Sequence, residues 1–400
     1  MLGYFVLFLL SGILAGTLTG MIPGVHINLI GIFLLSFSAY LLEFTEPIYL
    51  AIFITAMAIT HTFVDFIPSI FLGCPDTDTE LSVLPGHELL KKGHGYQAVL
   101  LTCYGSLLSL ISLVLVLIPF LLFSSKFYNF LRTPYLLASI LIFVSLFLIL
   151  LERKKLSAFL AFSLSGILGF CVLNFENLNQ PLLPLLTGLF GSSMLILSIK
   201  NKIKIPEQII AKPVEPKSSL ARAFFGSIIA SPICSFFPGL GAGQAAIIGN
   251  TFARTTQKGF LILLGATNTL VMGISFLTLY TISKTRTGAA ATIKEILGTP
   301  TIEYILIIIF TIFLSGFIAF FITKFIAKIF STKISKINYT KLSIITLSIL
   351  LIIITLISGI FGVIVLIVST FTGIYIINLK VRRTQMMGCL LLPTIIFYLL

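Results

Sequence analysis

Tryptophan is absent from this chain, and Asp, Glu, Lys and Arg together supply only 10% of its 400 residues. A soluble domain carries about a quarter of its residues charged, so this scarcity excludes one. Catalytic signatures are missing as well. No HExxH, GxSxG, P-loop or GxGxxG pattern occurs, so no enzyme, no catalytic residue and no ATPase is expected. Five cysteines (Cys74, Cys103, Cys171, Cys234 and Cys389) stand apart, with no CxxC and no Cys/His pair at metal spacing. They read as small hydrophobes, and neither a metal nor a cofactor is expected. Without Trp, any aromatic belt must come from the 12 Tyr and 37 Phe.

Apolar sequence fills what charge leaves. Hydrophobic residues make up 58% of the chain, with a mean hydropathy of +1.13. Runs near the roughly 20 residues that cross a bilayer lie at 96–123, 134–151, 156–173, 181–199, 260–282, 301–323, 342–357 and 360–379. The expected fold is all-α: a polytopic helical bundle, multi-pass in the cell membrane, with the lipid bilayer as its partner. The first residues carry no basic leader and no small-residue cleavage site, so no cleaved signal peptide is expected.

The net charge of +13 describes topology rather than nucleic acid, which is not expected as a partner. The cations sit in short loops: Arg153 to Lys155, Lys200 to Arg222, Lys324 to Lys341, and Lys380 to Arg383, whereas 174–180 and 358–361 carry none. Basic loops stay cytoplasmic. The polar stretch 201–219, with Pro206, Pro213 and Pro216, reads as a cytoplasmic linker between repeats at 1–200 and 220–400. In the first half the loop between the paired spans (134–151 and 156–173) is basic and the next is bare. In the second half this order is reversed around 342–357 and 360–379. Equivalent units inserted in opposite directions form an inverted-topology repeat.

A proline-glycine break occurs once per half: Pro23-Gly24-Val25-His26-Ile27-Asn28, and Pro238-Gly239-Leu240-Gly241-Ala242-Gly243-Gln244. Backbone interrupted at membrane depth survives only against protein or a polar cavity. The pair therefore predicts broken or re-entrant helices whose free N–H groups meet near the midplane and bind an anion. Gly24, His26, Asn28, Gly239, Gly241, Gly243 and Gln244 are the candidate contacts beside Pro23 and Pro238.

Each half also carries a second polar interruption. In the first, Cys74-Pro75-Asp76-Thr77-Asp78-Thr79-Glu80 offers acids. Thr77 and Glu80 fit a helix-capping box, while Asp76, Asp78 and Thr79 fit a site for a coupling cation or proton; both readings stand. In the second, Lys284 and Arg286 lie among hydroxyls and suit an anionic ligand, or they only reach to the interface. Thr267, Asn268 and Thr269 could line the same cavity. His61 and Asp65, four residues apart, share a helix face and suit a proton relay or a structural pair.

Gly20 to Gly24, the Pro75 to Gly95 hairpin, Leu84 to Ala98 and Pro238 to Gly241 resemble the TctA family, the large membrane subunit of tripartite tricarboxylate transporters. The resemblance runs over nearly the whole chain and is closest to a shorter archaeal branch. It implies a cation-coupled carboxylate transporter working with a small membrane subunit and an extracytoplasmic binding protein; a homodimer is compatible with it. The expected function is secondary transport of a small organic anion, a carboxylate, coupled to Na⁺ or H⁺. The alternative is a translocase for a phosphate-bearing lipid such as a polyprenyl phosphate.

Overall fold

The computed structural model describes residues 2–22, 40, 42–73, 79–131, 133–200, 205–237, 240–336 and 338–400. Their elements are α1 (Leu2–Met21), α2 (Pro47–Val64), α3 (Phe66–Leu72), α4 (Val83–Lys91), α5 (Gly95–Leu131), α6 (Pro134–Leu150), α7 (Lys155–Leu173), α8 (Leu182–Leu186) and α9 (Ser193–Lys200). In the second half come α10 (Lys217–Phe236), α11 (Ala242–Ala253), α12 (Gln257–Ile282), α13 (Gly288–Leu297), α14 (Ile302–Lys333), α15 (Tyr339–Asn378) and α16 (Gly388–Leu399). Among the described residues there is no strand, and nine helical stretches are long and apolar enough to cross a membrane. A chain this short of charge has little else to build with, because a helix satisfies its own backbone in lipid.

Two helical stretches sit at the centre. Asp65 joins α2 to α3, and Pro68 explains the junction: its ring removes one backbone N–H and crowds the carbonyl of Val64. Both α2–α3 and α12 are buried over 94% of their apolar windows, against 22% for α1 and α15. Polar side chains on the central pair therefore face protein, not lipid.

The core is layered across the membrane. One layer joins Ile48–Phe63 of α2 to Leu110–Phe120 of α5, Leu270–Leu279 of α12 and Ile305–Ala319 of α14. The next joins Val64–Leu72 to Tyr96–Cys103, Leu261–Leu264 and Ala327. Hence α2–α3 and α14 run one way while α5 and α12 run the other. On the same grounds α1 descends with α2, Leu9 and Ile13 lying in the first layer and Met21 against the second. By contrast α10 ascends with α12, from Ala223 to Phe236.

Helix α15 is two helices in one. Gly359 has φ 65° and ψ −161°, and a Cβ on Gly362 would lie 3.3 Å from Ile354, eight residues earlier. The chain doubles back there, at the bare loop 358–361.

Candidate functional site

Two groups of polar residues stand out, one along α12 and one at its end. Asn268 Nδ2 donates to Asp65 Oδ2 at 2.9 Å and to the Thr62 carbonyl at 3.4 Å. Thr62 Oγ1 and Thr269 Oγ1 are 3.0 Å apart. Asp65 is 5% exposed and Asn268 3%, so this group lies in the interior between the halves. The Ser69 hydroxyl donates to the Asp65 carbonyl at 2.8 Å and lies 2.6 Å from Thr79 Oγ1. That contact ties the junction to the start of the first hairpin. Thr19 Oγ1 adds a 3.1 Å contact to His61 Nδ1, one turn above Asp65. A carboxyl, an amide and two hydroxyls so enclosed can hold a proton or a small cation, since an ionisable group at this depth is costly without a use.

The second group lies past the far end of α12. A cavity of about 360 Å³ is lined by Lys284, Thr285, Arg286, Thr278, Ser235, Phe236, Tyr128 and Tyr398, among others. Ser283 ends the helix in a left-handed conformation (φ 53°), and Lys294 Nζ donates to its carbonyl at 3.1 Å. This turn directs the chain away and leaves Lys284 exposed and Arg286 half-buried. Ser235 and Phe236 belong to the last turn of α10, directly before the second break. Beyond the break, Gln244 Oε1 accepts the Gly241 N–H at 2.8 Å, which fixes the first turn of α11. Gln244 is fully buried, and among the described residues its Nε2 has no hydrogen-bond partner.

A second cavity, about 520 Å³, opens at the other end of α12 and includes Glu88, Arg254 and Arg382. Its lining mixes one acid with two cations. Arg382 lies 3.5 Å from Glu152, and Glu88 accepts from Gln257. It is the weaker candidate for a charged ligand.

The pattern described as the tripartite tricarboxylate transporter TctA family matches residues 6–388. The chain belongs to the TctA family. An uncharacterized protein of Methanocaldococcus jannaschii is 32% identical over 407 residues, covering 98% of this chain and 99% of that protein. No solved structure matches the chain. A TctA-family chain with nine candidate spans among its described residues is a multi-pass membrane transporter. Its family is that of a tripartite system, so other subunits belong to the family's setting.

Of the residues singled out from the sequence, Pro23, Gly24, His26, Asn28, Asp76, Asp78, Pro238 and Gly239 lie outside the described residues of this TctA-family chain. The meeting of the two Pro-Gly loops lies outside them as well. Asp65 and Asn268 come together, with Thr79 linked through Ser69. Lys284 and Arg286 gather with the end of α10. Asn268 does not join them: it precedes Lys284 by 16 residues, about 24 Å at helical rise. Thr267 is occupied locally, donating to the Leu263 and Leu264 carbonyls. Thr62, Ser69 and Pro68 were not legible as site residues from the sequence. Pro68, three residues after an acid in an apolar helix, is the signal that could have found the junction.

One further buried group has a measurable consequence. His87 of α4 packs over Gly73: a Cβ there would lie 2.5 Å from its Nε2. Burial, followed by the nearby charges of Arg383 and Lys91, pushes the imidazole from 6.5 down to about 3. Below pH 6.5 the unfolded chain takes up a proton that the folded chain refuses, so stability falls as pH falls. Between pH 7 and pH 5 the expected loss from His87 is about 2 kcal/mol. A His87→Gln variant should lose correspondingly less on acidification, read from melting temperatures in detergent at the two pH values. Equal losses in both proteins would refute the assignment.

Proposed function

We propose that this chain is a secondary transporter in the cell membrane, moving a small organic carboxylate in exchange for the energy of a Na⁺ or H⁺ gradient. The observation that carries the reading is the cavity joining Lys284 and Arg286 to the last turn before the second Pro-Gly break. A guanidinium offers a fork for a carboxylate, and an ammonium supplies a point charge. The buried Gln244 amide and the N-terminus of α11 add donors on the far side of the break. Asp65, held by Asn268, is the coupling group in this scheme, with Thr79 at its edge.

The two halves fit an inverted repeat. Support comes from the helices that correspond in sequence order, α1 with α10, α2–α3 with α12, and α5 with α14, each pair of which runs in opposite directions. Such pairs rock around a fixed site in alternating access.

Lys284→Gln and Arg286→Gln test the anion site. Each is expected to weaken binding by about 1.5–3 kcal/mol, the range for a hydrogen bond to a charged group, or roughly 10- to 150-fold. The measurement is half-saturation for labelled citrate and smaller carboxylates taken up by proteoliposomes, with and without ion gradients. Variants within a few-fold of wild type would mean that the cations only reach for the interface. Gradient-independent flux would remove the coupling claim.

A further inference from the structure

We propose that the basic end of α14, around Lys324, Lys328 and Lys333, is a docking surface for the head group of an anionic phospholipid. The proposal is independent of the transport reading. Helix α14 has 32 residues, about 48 Å at helical rise. A hydrocarbon core of about 30 Å takes up some 20 residues, so an apolar span beginning at Ile302 ends near Phe321. The remaining turns run at head-group level.

The residues on this helix sort accordingly. Phe317, Phe321, Lys324 and Lys328 recur at spacings of four, three and four, which places them on one face. Phe317, Phe321 and the neighbouring Phe325 are each more than half exposed, forming an apolar ridge on the outside of the bundle. Lys328 and Lys333 are exposed, and Lys324 is half-buried. Among the described residues none of the three forms an ion pair. Lys341 stands exposed at the start of α15, after the turn capped by Asn338. Sequence reinforces the asymmetry: from Tyr304 to Leu400 there is no Asp or Glu.

A face that is aromatic at acyl-chain depth and cationic one turn further along the helix matches a lipid with a negative head group. Acyl chains would lie along the Phe ridge while the phosphate meets Lys324 and Lys328. A juxtamembrane lysine cluster with no acid among it is the pattern that attracts anionic lipid.

The test uses the full chain in detergent, titrated with fluorescent phosphatidylglycerol and, separately, with fluorescent phosphatidylcholine. The Lys324→Gln/Lys328→Gln/Lys333→Gln variant is expected to bind phosphatidylglycerol at least tenfold more weakly, with phosphatidylcholine unchanged. Replacing the same three lysines by arginine should retain binding. A control variant, Arg153→Gln/Lys154→Gln/Lys155→Gln, removes equal charge from another basic loop and should keep most of the affinity. Equal losses in the two Gln variants would overturn the site in favour of diffuse attraction. No loss in the α14 variant would overturn it outright.

Discussion

Replacing Gly105 and Gly265 together by alanine is expected to prevent stable folding, and either change alone should cost about 3 kcal/mol, the upper end of what overpacking costs. The reason is backbone against backbone. A Cβ at Gly105 would lie 1.9 Å from the Ile262 carbonyl oxygen, and one at Gly265 would lie 2.0 Å from the Thr102 carbonyl oxygen. Neither neighbour is a side chain that can rotate away, so α5 and α12 would have to separate. Separation would also break the hydrogen bond from Ser106 Oγ to the Gly265 carbonyl, 3.1 Å across the same interface. In lipid little hydrophobic force draws helices together, and close packing of small residues carries much of the association. Thermal unfolding in detergent, followed by loss of the monodisperse species, measures the effect. Gly3→Ala serves as control, because a Cβ there meets nothing within 4 Å and alanine is the better helix former. Unchanged melting in the Gly105 and Gly265 variants would mean that the helices tolerate a wider spacing than the structure has.

The parts of this protein that sequence makes legible are those set by local composition. Long apolar runs indicate an all-helical membrane chain, and the bare loop 358–361 between two apolar runs falls where α15 doubles back. Sequence is silent on which polar residues meet. Asp65 and Asn268 are 203 positions apart, and both stand on helices that are apolar nearly all round. An apolar stripe facing a polar one tells which side of a helix is inside. A helix buried on every side offers no such contrast, so sequence groups Asn268 with the nearby Lys284 rather than with Asp65. The length of α12 decides, because 26 residues separate its middle from its end by more than any side chain can reach. Only the packed arrangement of α2–α3 against α12, running in opposite directions, brings the acid to the amide.

Asp65→Asn is expected to abolish ion-driven accumulation while leaving the protein folded. The substitution keeps the shape and one acceptor oxygen for Asn268 but removes the ionisable group. Burying a charge without full compensation is costly, so a neutral amide should hold or raise the melting temperature. Concentrative uptake of labelled carboxylate should fall to the level of empty vesicles, whereas downhill exchange across the same vesicles should persist. Asn268→Ala separates the roles further. It deprives Asp65 Oδ2 of its donor, which is expected to cost about 1.5–3 kcal/mol for a hydrogen bond to a charged acceptor. Without that donor the carboxyl is no longer fixed against α12, so ion-driven accumulation should weaken while downhill exchange persists. Asn268→Asp replaces the donor amide with a second carboxyl 2.9 Å from the first, and accumulation should fall at least as far as in Asn268→Ala. Accumulation that survives Asp65→Asn would move coupling away from this junction and leave Asp65 as a structural partner of α12.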